Sequence, residues 1–403
     1  MSAVSSKKRL TVSTCVLVGL LGFGLLGFLA GCAGTGKPRA EKEAGELVWP
    51  APPETPRIKF VKEISKPSDV GKGKAASNKL AEALLGVTSK DAKILVKPYG
   101  IHADSNGRVY VADSATGRVT VFDSKAKDVL IMGQKGQGRM NKAMGVVAGQ
   151  DGRVYVTDLS AKRVVVFDSK GKFLKALGGK DVLANPVGIA LDEKRGRIYV
   201  ADSYAHQIVA FSPDGKVLFS IGRKNAPGKL AAGSKDQAWN RGIKEGEFRF
   251  PTNVTVDNEG KIYVIDALNF RVQVFNSQGE YLSSFGKLGD GFGQFARPKG
   301  VAVDSQGHVY VTDAGFNNVQ IFNASGKLLL FFGSMGQGKG EFWLPAGISI
   351  DASNRIYVAD QYNHRVQVFQ FLKQEESATE IDNNKNAVKA VNVVNNEKGG
   401  KQR

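Results

Sequence analysis

The acidic residues with the most regular spacing close six copies of the tetrapeptide Tyr-Val-x-Asp. They are Asp113, Asp158, Asp202, Asp266, Asp313 and Asp360. A ring of carboxylates could hold a metal ion or exchange protons with a substrate. In four copies, however, an arginine follows five residues later, as Arg118 follows Asp113. A carboxylate that ends one strand and a donor that begins the next can fix the turn between them by charge-assisted hydrogen bonds. We therefore predict a structural role for these six carboxylates.

The histidines and glycine-rich segments are the remaining candidates for chemistry. The four histidines are His102, His206, His308 and His364. A zinc site needs several ligands that converge on one point, and nothing in their spacing indicates that. Segments 286–293 and 333–340 resemble phosphate-binding loops, but such a loop must open a helix, and a strand pattern follows each of them. No Gly-x-Ser-x-Gly sequence occurs. We therefore expect no catalytic residue, no metal ligand and no cofactor.

The spacing of the repeated tetrapeptide defines the elements that carry these residues. Successive aspartates of the set are 45, 44, 64, 47 and 47 residues apart. A period near 45 residues with four short strand patterns in each unit is typical of a β-propeller blade. In the fifth unit the strand patterns cover 300–304, 308–313, 318–322 and 327–332. The fold class predicted is therefore all-β, a six-bladed propeller over residues 57–373.

The sixth unit has only three strand patterns, which end at 365–369. An open edge invites aggregation, and the segment 57–65 has the pattern of the missing strand. We predict that 57–65 pairs with the outside of the sixth blade and closes the ring. Residues 78–86 are predicted as a short helix between Asn78 as N-cap and Gly86 as C′ residue.

The repeats resemble those of the NHL family of six-bladed propellers. Two segments that are close to the family pattern are Pro298-Lys-Gly-Val-Ala-Val-Asp304 and Asn363-His-Arg-Val-Gln-Val-Phe369. The second blade departs from this pattern. Ala143 lies where the fifth blade has Pro298, and Gly149 lies where it has Asp304. In the peptide-amidating lyases of similar fold, zinc-binding histidines occupy the residue after that proline. The matching residues here are Tyr99, Met144, Val187, Thr252, Lys299 and Ala346, so the resemblance does not imply that activity.

The N-terminal residues have the pattern of an export signal. Three cationic residues are followed by the uncharged apolar segment 11–30, and Leu29-Ala30-Gly31-Cys32 resembles the bacterial lipobox. We therefore expect residues 1–31 to be a signal peptide and Cys32 to carry the lipid. By the same resemblance, Ala33 after the cysteine favours the outer membrane. Residues 32–56 are predicted as an extended tether and 374–403 as a disordered tail, because both are rich in polar, charged or helix-breaking residues.

Composition and charge limit the classes of partner. The chain of 403 residues is 42% hydrophobic and 23% charged, with two cysteines, which excludes whole-chain disorder and a disulfide scaffold. Its net charge of +18 is compatible with nucleic acid, anionic lipid or acidic polymer as a partner. Because export is predicted, a nucleic-acid partner is not expected. Contact with the membrane through the lipid, and with a protein or an anionic envelope polymer, is expected instead.

The predicted binding surface is the end of the propeller where the blades are connected. The loops between second and third strands should lie at that end, together with a long insertion at 223–248 in the third blade. Aromatic residues with arginine are the composition of interface hot spots. The candidate partner-binding residues are Tyr204, His206, Trp239, Arg241, Phe270, Phe316, Tyr362 and His364. These features favour a non-catalytic binding scaffold. The alternative is a metal-dependent hydrolase or lyase with its site in the propeller channel.

Overall fold

The computed structural model of the chain describes residues 46–71, 92–222 and 242–372. Several predictions of the sequence fall outside these residues. They are the signal peptide 1–31 with Cys32, the first part of the tether, the helix 78–86, residues 223–241 of the insertion and the tail 374–403. In the described part of the chain, no helix is long and apolar enough to cross a lipid bilayer.

The described residues form six antiparallel sheets arranged as the blades of a propeller, which confirms the predicted fold class. The N-terminal strands are β1 (Val48–Trp49) and β2 (Ile58–Ile64). Blade one consists of β3 (Pro98–Ala103), β4 (Arg108–Asp113), β5 (Arg118–Asp123) and β6 (Asp128–Met132), and blade two of β7 (Ala143–Ala148), β8 (Val154–Asp158), β9 (Arg163–Phe167) and β10 (Phe173–Gly178). Blade three consists of β11 (Pro186–Asp192), β12 (Arg197–Asp202), β13 (Gln207–Phe211) and β14 (Val217–Ile221), and blade four of β15 (Pro251–Val256), β16 (Ile262–Asp266), β17 (Arg271–Phe275) and β18 (Tyr281–Phe285). Blade five consists of β19 (Pro298–Val303), β20 (Val309–Asp313), β21 (Asn318–Phe322) and β22 (Leu328–Phe332), and blade six begins with β23 (Pro345–Ile350), β24 (Arg355–Asp360) and β25 (Arg365–Phe371). Among the described residues there are also three short 3-10 helices, Pro67–Val70, Gly136–Gly138 and Ala267–Asn269.

The sixth blade takes its outer strands from the beginning of the chain. Strand β2 pairs antiparallel with β25, with Ile58 opposite Phe371 and Ile64 opposite Val366. An ion pair of 3.0 Å between Arg365 Nη1 and Glu63 Oε2 adds to this seam. The order of the sheet is therefore β1-β2-β25-β24-β23.

The last residues of the predicted tether differ from the prediction. Strand β1 pairs with β2, with Trp49 opposite Ile58, and the Trp49 ring lies 5.7 Å from both Phe332 and Phe369. A side chain at Gly340 would come within 2.6 Å of the indole, so this glycine leaves the space that the ring fills. Because an aromatic side chain gains free energy from such burial, Trp49 packs on blade six, and 32–56 is not an extended tether throughout.

The core lies in the seams between neighbouring blades rather than in one central cluster. Each third strand contributes a phenylalanine that is at most 1% exposed. These six residues are Phe122, Phe167, Phe211, Phe275, Phe322 and Phe369. Burying each side chain contributes about 2–3 kcal/mol. The fourth strands are half exposed, and β22 has the alternating burial expected of an outer strand.

Candidate functional site

A channel follows the propeller axis and is lined by the first, inner strand of every blade. Its main cavity has a volume of about 410 Å³. The inner strands approach one another closely because five of them carry glycine near their start. A side chain at Gly100 would lie 2.1 Å from the Met144 carbonyl oxygen, and one at Gly347 would lie 2.4 Å from that of Tyr99. The glycines of the inner strands therefore set the diameter of the channel.

The carboxylates beside the channel are held in the hairpins between first and second strands. Asp304 accepts the backbone N–H groups of Gln306 and His308 with one oxygen, both at 2.9 Å. Its other oxygen accepts the Tyr310 hydroxyl at 3.0 Å. The same arrangement recurs at Asp104, Asp257 and Asp351. These carboxylates therefore fix the turns that position the Tyr-Val-x-Asp strands. The sequence analysis assigned them no role.

His102 is the one of the four histidines that lines the channel cavity. Its ring lies 6.1 Å from the Tyr110 ring. Burial lowers its pKa to about 4, and the nearby Asp104 and a hydrogen bond to the Ala148 backbone only partly oppose that shift. The imidazole is therefore neutral near pH 7. Within the described residues, no three His, Cys, Asp or Glu side chains are grouped as metal ligands would be.

The aspartates of Tyr-Val-x-Asp are buried, and five of them bind the segments that connect the blades. Asp113 accepts the N–H groups of Val96 and Lys97 at 2.6 and 3.0 Å. Asp313 accepts those of Ala296 and Arg297 at 2.8 and 2.9 Å. Asp202, Asp266 and Asp360 likewise accept N–H groups of connecting segments. Each of these aspartates therefore fixes the backbone at the start of the inner strand beside it.

The predicted pairing of these aspartates with arginine holds in three of the four blades that have the arginine. Arg271 Nε and Arg365 Nε lie 2.9 and 2.8 Å from Asp266 and Asp360, and the corresponding distance from Arg163 to Asp158 is 3.6 Å. In blade one Arg118 donates instead to the Ile94 carbonyl at 2.8 Å. The connecting segment of blade one thus competes with Asp113 for the guanidinium.

The blade connections and the loops between second and third strands lie at one end, which we call the crossing end. The backbone shows this directly, because Ser114 N–H donates to Lys97 and Ala314 N–H to Arg297. Among the described residues, nine large apolar side chains are exposed at this end. They are Val96, Tyr204, Ile243, Leu268, Leu288, Phe292, Met335, Trp343 and Tyr362. The other eight exposed ones lie on outer strands or in the N-terminal segment, and none lies in a hairpin at the opposite end. The crossing end is therefore the more apolar end.

Six of the eight predicted partner-binding residues are described by the structure, and they lie at the crossing end in separate groups. Tyr204 and His206 contact the Phe250 ring, at 6.2 and 4.7 Å between centroids, and His206 Nδ1 accepts the Phe250 N–H at 3.1 Å. Phe270 packs partly buried against the seam of blades four and five. It has a left-handed backbone conformation, with φ of 55°. Trp239 and Arg241 lie outside the described residues.

The remaining three predicted residues lie on blades five and six. Phe316 lines a groove of about 290 Å³ together with Phe292, which is 83% exposed. Tyr362 packs against Trp343 at 5.8 Å, and the exposed His364 hydrogen-bonds through Nδ1 to the Val96 carbonyl. The six of these residues that the structure describes thus do not form one pocket.

Cationic residues at the channel mouth were missed by the sequence analysis. A second cavity of about 200 Å³ lies at the crossing end of the channel. It is lined by Lys97, Lys142, Arg297 and Lys299, which flank the first residue of the inner strands in blades one, two and five. Their signal is present in the sequence, because Lys97, Lys142 and Arg297 directly precede an inner strand and Lys299 is the second residue of one.

A comparison with protein-family models identifies the repeat. The model described as "NHL repeat" matches residues 95–122, 183–211, 248–275, 295–322 and 342–369. The chain carries NHL repeats. The five matched segments span blades one, three, four, five and six. The blade without a match is the second, in which Ala143 and Gly149 replace the proline and aspartate of the repeat.

Solved structures resemble this NHL propeller in fold. Streptogramin B lyase is 12% identical over 68% of this chain and 94% of the lyase, with a TM-score of 0.50. Virginiamycin B lyase from Staphylococcus aureus is 16% identical over 69% of this chain and 96% of that one, with a TM-score of 0.50. An auxiliary nutrient binding protein from Bacteroides ovatus is 13% identical over 70% and 71% of the two chains, with a TM-score of 0.53. At these identities the likeness concerns the fold alone. Among curated proteins, no sequence matches this chain.

Proposed function

We propose that this NHL-repeat chain is an exported lipoprotein, anchored in the outer membrane through Cys32, whose propeller is a non-catalytic binding scaffold. Its partner, a protein or an anionic envelope polymer, would contact the crossing end. The observation that carries this proposal is the distribution of large exposed apolar side chains over residues 46–71, 92–222 and 242–372, where nine lie at that end and none in the opposite hairpins. A concentration of exposed apolar side chains at one end of a domain favours that end as the interaction surface.

The arrangement of the channel carboxylates supports a scaffold rather than a catalyst. Asp104, Asp257, Asp304 and Asp351 each accept two backbone N–H groups and a tyrosine hydroxyl. A general acid or base must instead be free to exchange a proton with a substrate. Solved propellers of similar fold include both lyases and a binding protein, so the fold is compatible with either class.

Site-specific photocrosslinking in intact cells tests the proposal. A photoreactive phenylalanine analogue is placed at Phe292 or Tyr362 on the crossing end, and at Leu218 or Leu329 on outer strands as matched exposed controls. The proposal expects one defined crosslinked product from the first pair and none from the second. Equal crosslinking from both pairs, or none from either, would contradict it.

Two further measurements address the anchor and the alternative function. Replacing Cys32 by serine should abolish incorporation of a labelled fatty acid and release the protein from the membrane fraction. Metal analysis of the purified chain is the second measurement. Stoichiometric zinc or calcium, lost together with an enzymatic activity on chelation, would favour the metal-dependent hydrolase or lyase instead.

A further inference from the structure

The channel mouth at the crossing end concentrates positive charge. Its lining contains four cationic side chains, those of Lys97, Lys142, Arg297 and Lys299, and, among the described residues, no carboxylate. They come from the starts of the inner strands of blades one, two and five. Since these strands surround one axis, the four side chains face the same small space from different directions.

These cations lack the partners that other basic residues of the propeller have. Among the described residues, none of the four forms an ion pair. Lys97 Nζ instead lies 5.2 Å from the centroid of the Tyr362 ring. By contrast, Arg271 and Arg365 pair with buried aspartates. Unpaired like charges in one cavity repel one another, and a bound anion would relieve that repulsion.

The carboxylate on the neighbouring strand does not neutralise the mouth. Asp313 lies opposite Pro298 in the sheet, but its oxygens accept the N–H groups of Ala296 and Arg297 and those of Gly315 and Phe316. Its hydrogen bonds thus hold the backbone of the cationic segment. The negative charge is used to position Arg297 rather than to pair with its side chain.

The ionisation of two groups at the mouth shows how closely the charges converge. Burial, together with the nearby Arg297, lowers the pKa of Lys299 to about 8. Burial raises the pKa of Tyr99 to about 12, and Arg297 partly opposes that shift. Tyr99 belongs to blade one and Arg297 to blade five, so the guanidinium acts across the mouth. The groups that face Lys299 are Arg297 on its own strand, Tyr99 and Lys97 on blade one, and Lys142 at the start of blade two.

We propose that the channel mouth at the crossing end is a binding site for a phosphate group. Donors that approach from three blades require acceptor oxygens in several directions, which a tetrahedral phosphate offers and a planar carboxylate does not. Several positive charges around one cavity favour a doubly charged anion over a singly charged one. Ser114 and Tyr99 add hydroxyl groups to the lining. This site is independent of the macromolecular interface proposed above, because a small phosphate compound suffices to occupy it.

Calorimetric titration of the full chain in neutral detergent tests the site. Glycerol phosphate and inorganic phosphate are titrated separately at low ionic strength near pH 7. Replacing Lys299 by methionine should weaken binding about tenfold or more, because one charge-assisted contact to the anion is lost. The Arg297→Gln variant should show the same direction of change, and it keeps the test valid if the Lys299→Met protein fails to fold.

The matched control is Lys327→Met. Lys327 is exposed in the hairpin at the opposite end of the same blade, so this variant changes the net charge equally and should leave the affinity unchanged. Tighter binding of glycerol phosphate than of inorganic phosphate would indicate that the natural ligand carries its phosphate on an organic group. The reverse order would indicate the free ion.

The pH dependence separates a direct role of Lys299 from a general effect of charge. Lys299 must be protonated to contact the anion, and its pKa in the free protein is about 8. The affinity for glycerol phosphate should therefore fall about tenfold from about pH 7 to about pH 9, while the phosphate itself stays doubly charged because its second pKa is about 6. In Lys299→Met this fall should disappear. Wild-type protein that does not bind either compound, or Lys299→Met protein that binds as Lys327→Met does, would overturn the proposal.

Discussion

The close approach of the inner strands makes a sharp prediction for Gly100→Ala. The added methyl carbon would lie 2.1 Å from the Met144 carbonyl oxygen and 2.8 Å from the Gly145 Cα. Both are backbone atoms, so no side chain can rotate away to make room. Blade one also contacts blade six through Gly347, whose own methyl would lie 2.4 Å from the Tyr99 oxygen. A movement of β3 away from blade two therefore presses it against blade six.

The expected cost follows from this geometry. Overpacking a core typically lowers the free energy of unfolding by about 1–3 kcal/mol. Gly100→Ala should lie at the upper end of this range, because the added methyl meets backbone atoms and the closed ring leaves the strand no room to move. Since 1 kcal/mol corresponds to about 2 °C in Tm for a domain of this size, the Tm should fall by about 5 °C. Thermal unfolding followed by circular dichroism measures this shift, with the urea midpoint as an independent measure.

Gly291→Ala is the matched control for this prediction. It introduces the same methyl group at an exposed glycine, where the added carbon meets only the flexible Gln294 side chain at 3.3 Å. Its Tm should stay within about 1 °C of the wild-type value, as expected of most surface substitutions. If Gly100→Ala unfolds at the same temperature as Gly291→Ala, the inner strands do not limit the channel as described.

Three other substitutions test the buried Asp360–Arg365 ion pair, the N-terminal strands and the channel histidine. Asp360→Ala should destabilise the fold by about 3 kcal/mol, because it leaves the buried Arg365 without its 2.8 Å partner; urea unfolding measures this, with the exposed Asp214→Ala as the control. Trp49→Ala should lower the free energy of unfolding by about 2 kcal/mol, since the half-buried indole packs on two phenylalanines; an unchanged urea midpoint would show that the N-terminal strand adds nothing to blade six. The pKa of His102 is lowered to about 4, so its contribution to stability is complete above its unfolded pKa of about 6.5 and is lost as the pH falls toward 4. In His102→Phe the free energy of unfolding should therefore rise less steeply with pH between about pH 4 and pH 6.5, by up to about 1.4 kcal/mol per pH unit. An equal slope in the two proteins would refute the lowered pKa of His102.

Much of the fold was predictable because its determinants are local and repeated. The strands predicted in blade five at 308–313 and 318–322 are observed at Val309–Asp313 and Asn318–Phe322. The repeated sequence pattern predicts these strands because each blade has the same turn residues and the same buried phenylalanine. The position of Trp49 was not predictable in this way. It lies in a short apolar segment directly before a proline-rich one, and the cleft that it fills is made by Gly340 and by residues of blades five and six.

The candidate site was predicted less completely than the fold. The sequence indicated which loops share the crossing end, but the distances between their aromatic residues depend on six blades that are far apart in the chain. The cationic mouth combines Lys97 and Arg297, which are separated by 200 positions in the sequence. Only the closed ring brings such residues together. No single blade therefore predicts the cationic mouth.

The seam between β2 and β25 has a consequence for biosynthesis. Arg365 contacts Glu63 across 302 positions of the chain, so the last blade cannot be assembled until nearly the whole polypeptide is available. Blades one to five each consist of four consecutive strands and can form as the chain emerges. Until β25 arrives, β2 remains an unpaired edge. A polypeptide truncated shortly before residue 365 would therefore be a substrate for chaperones or proteases, even with five blades complete.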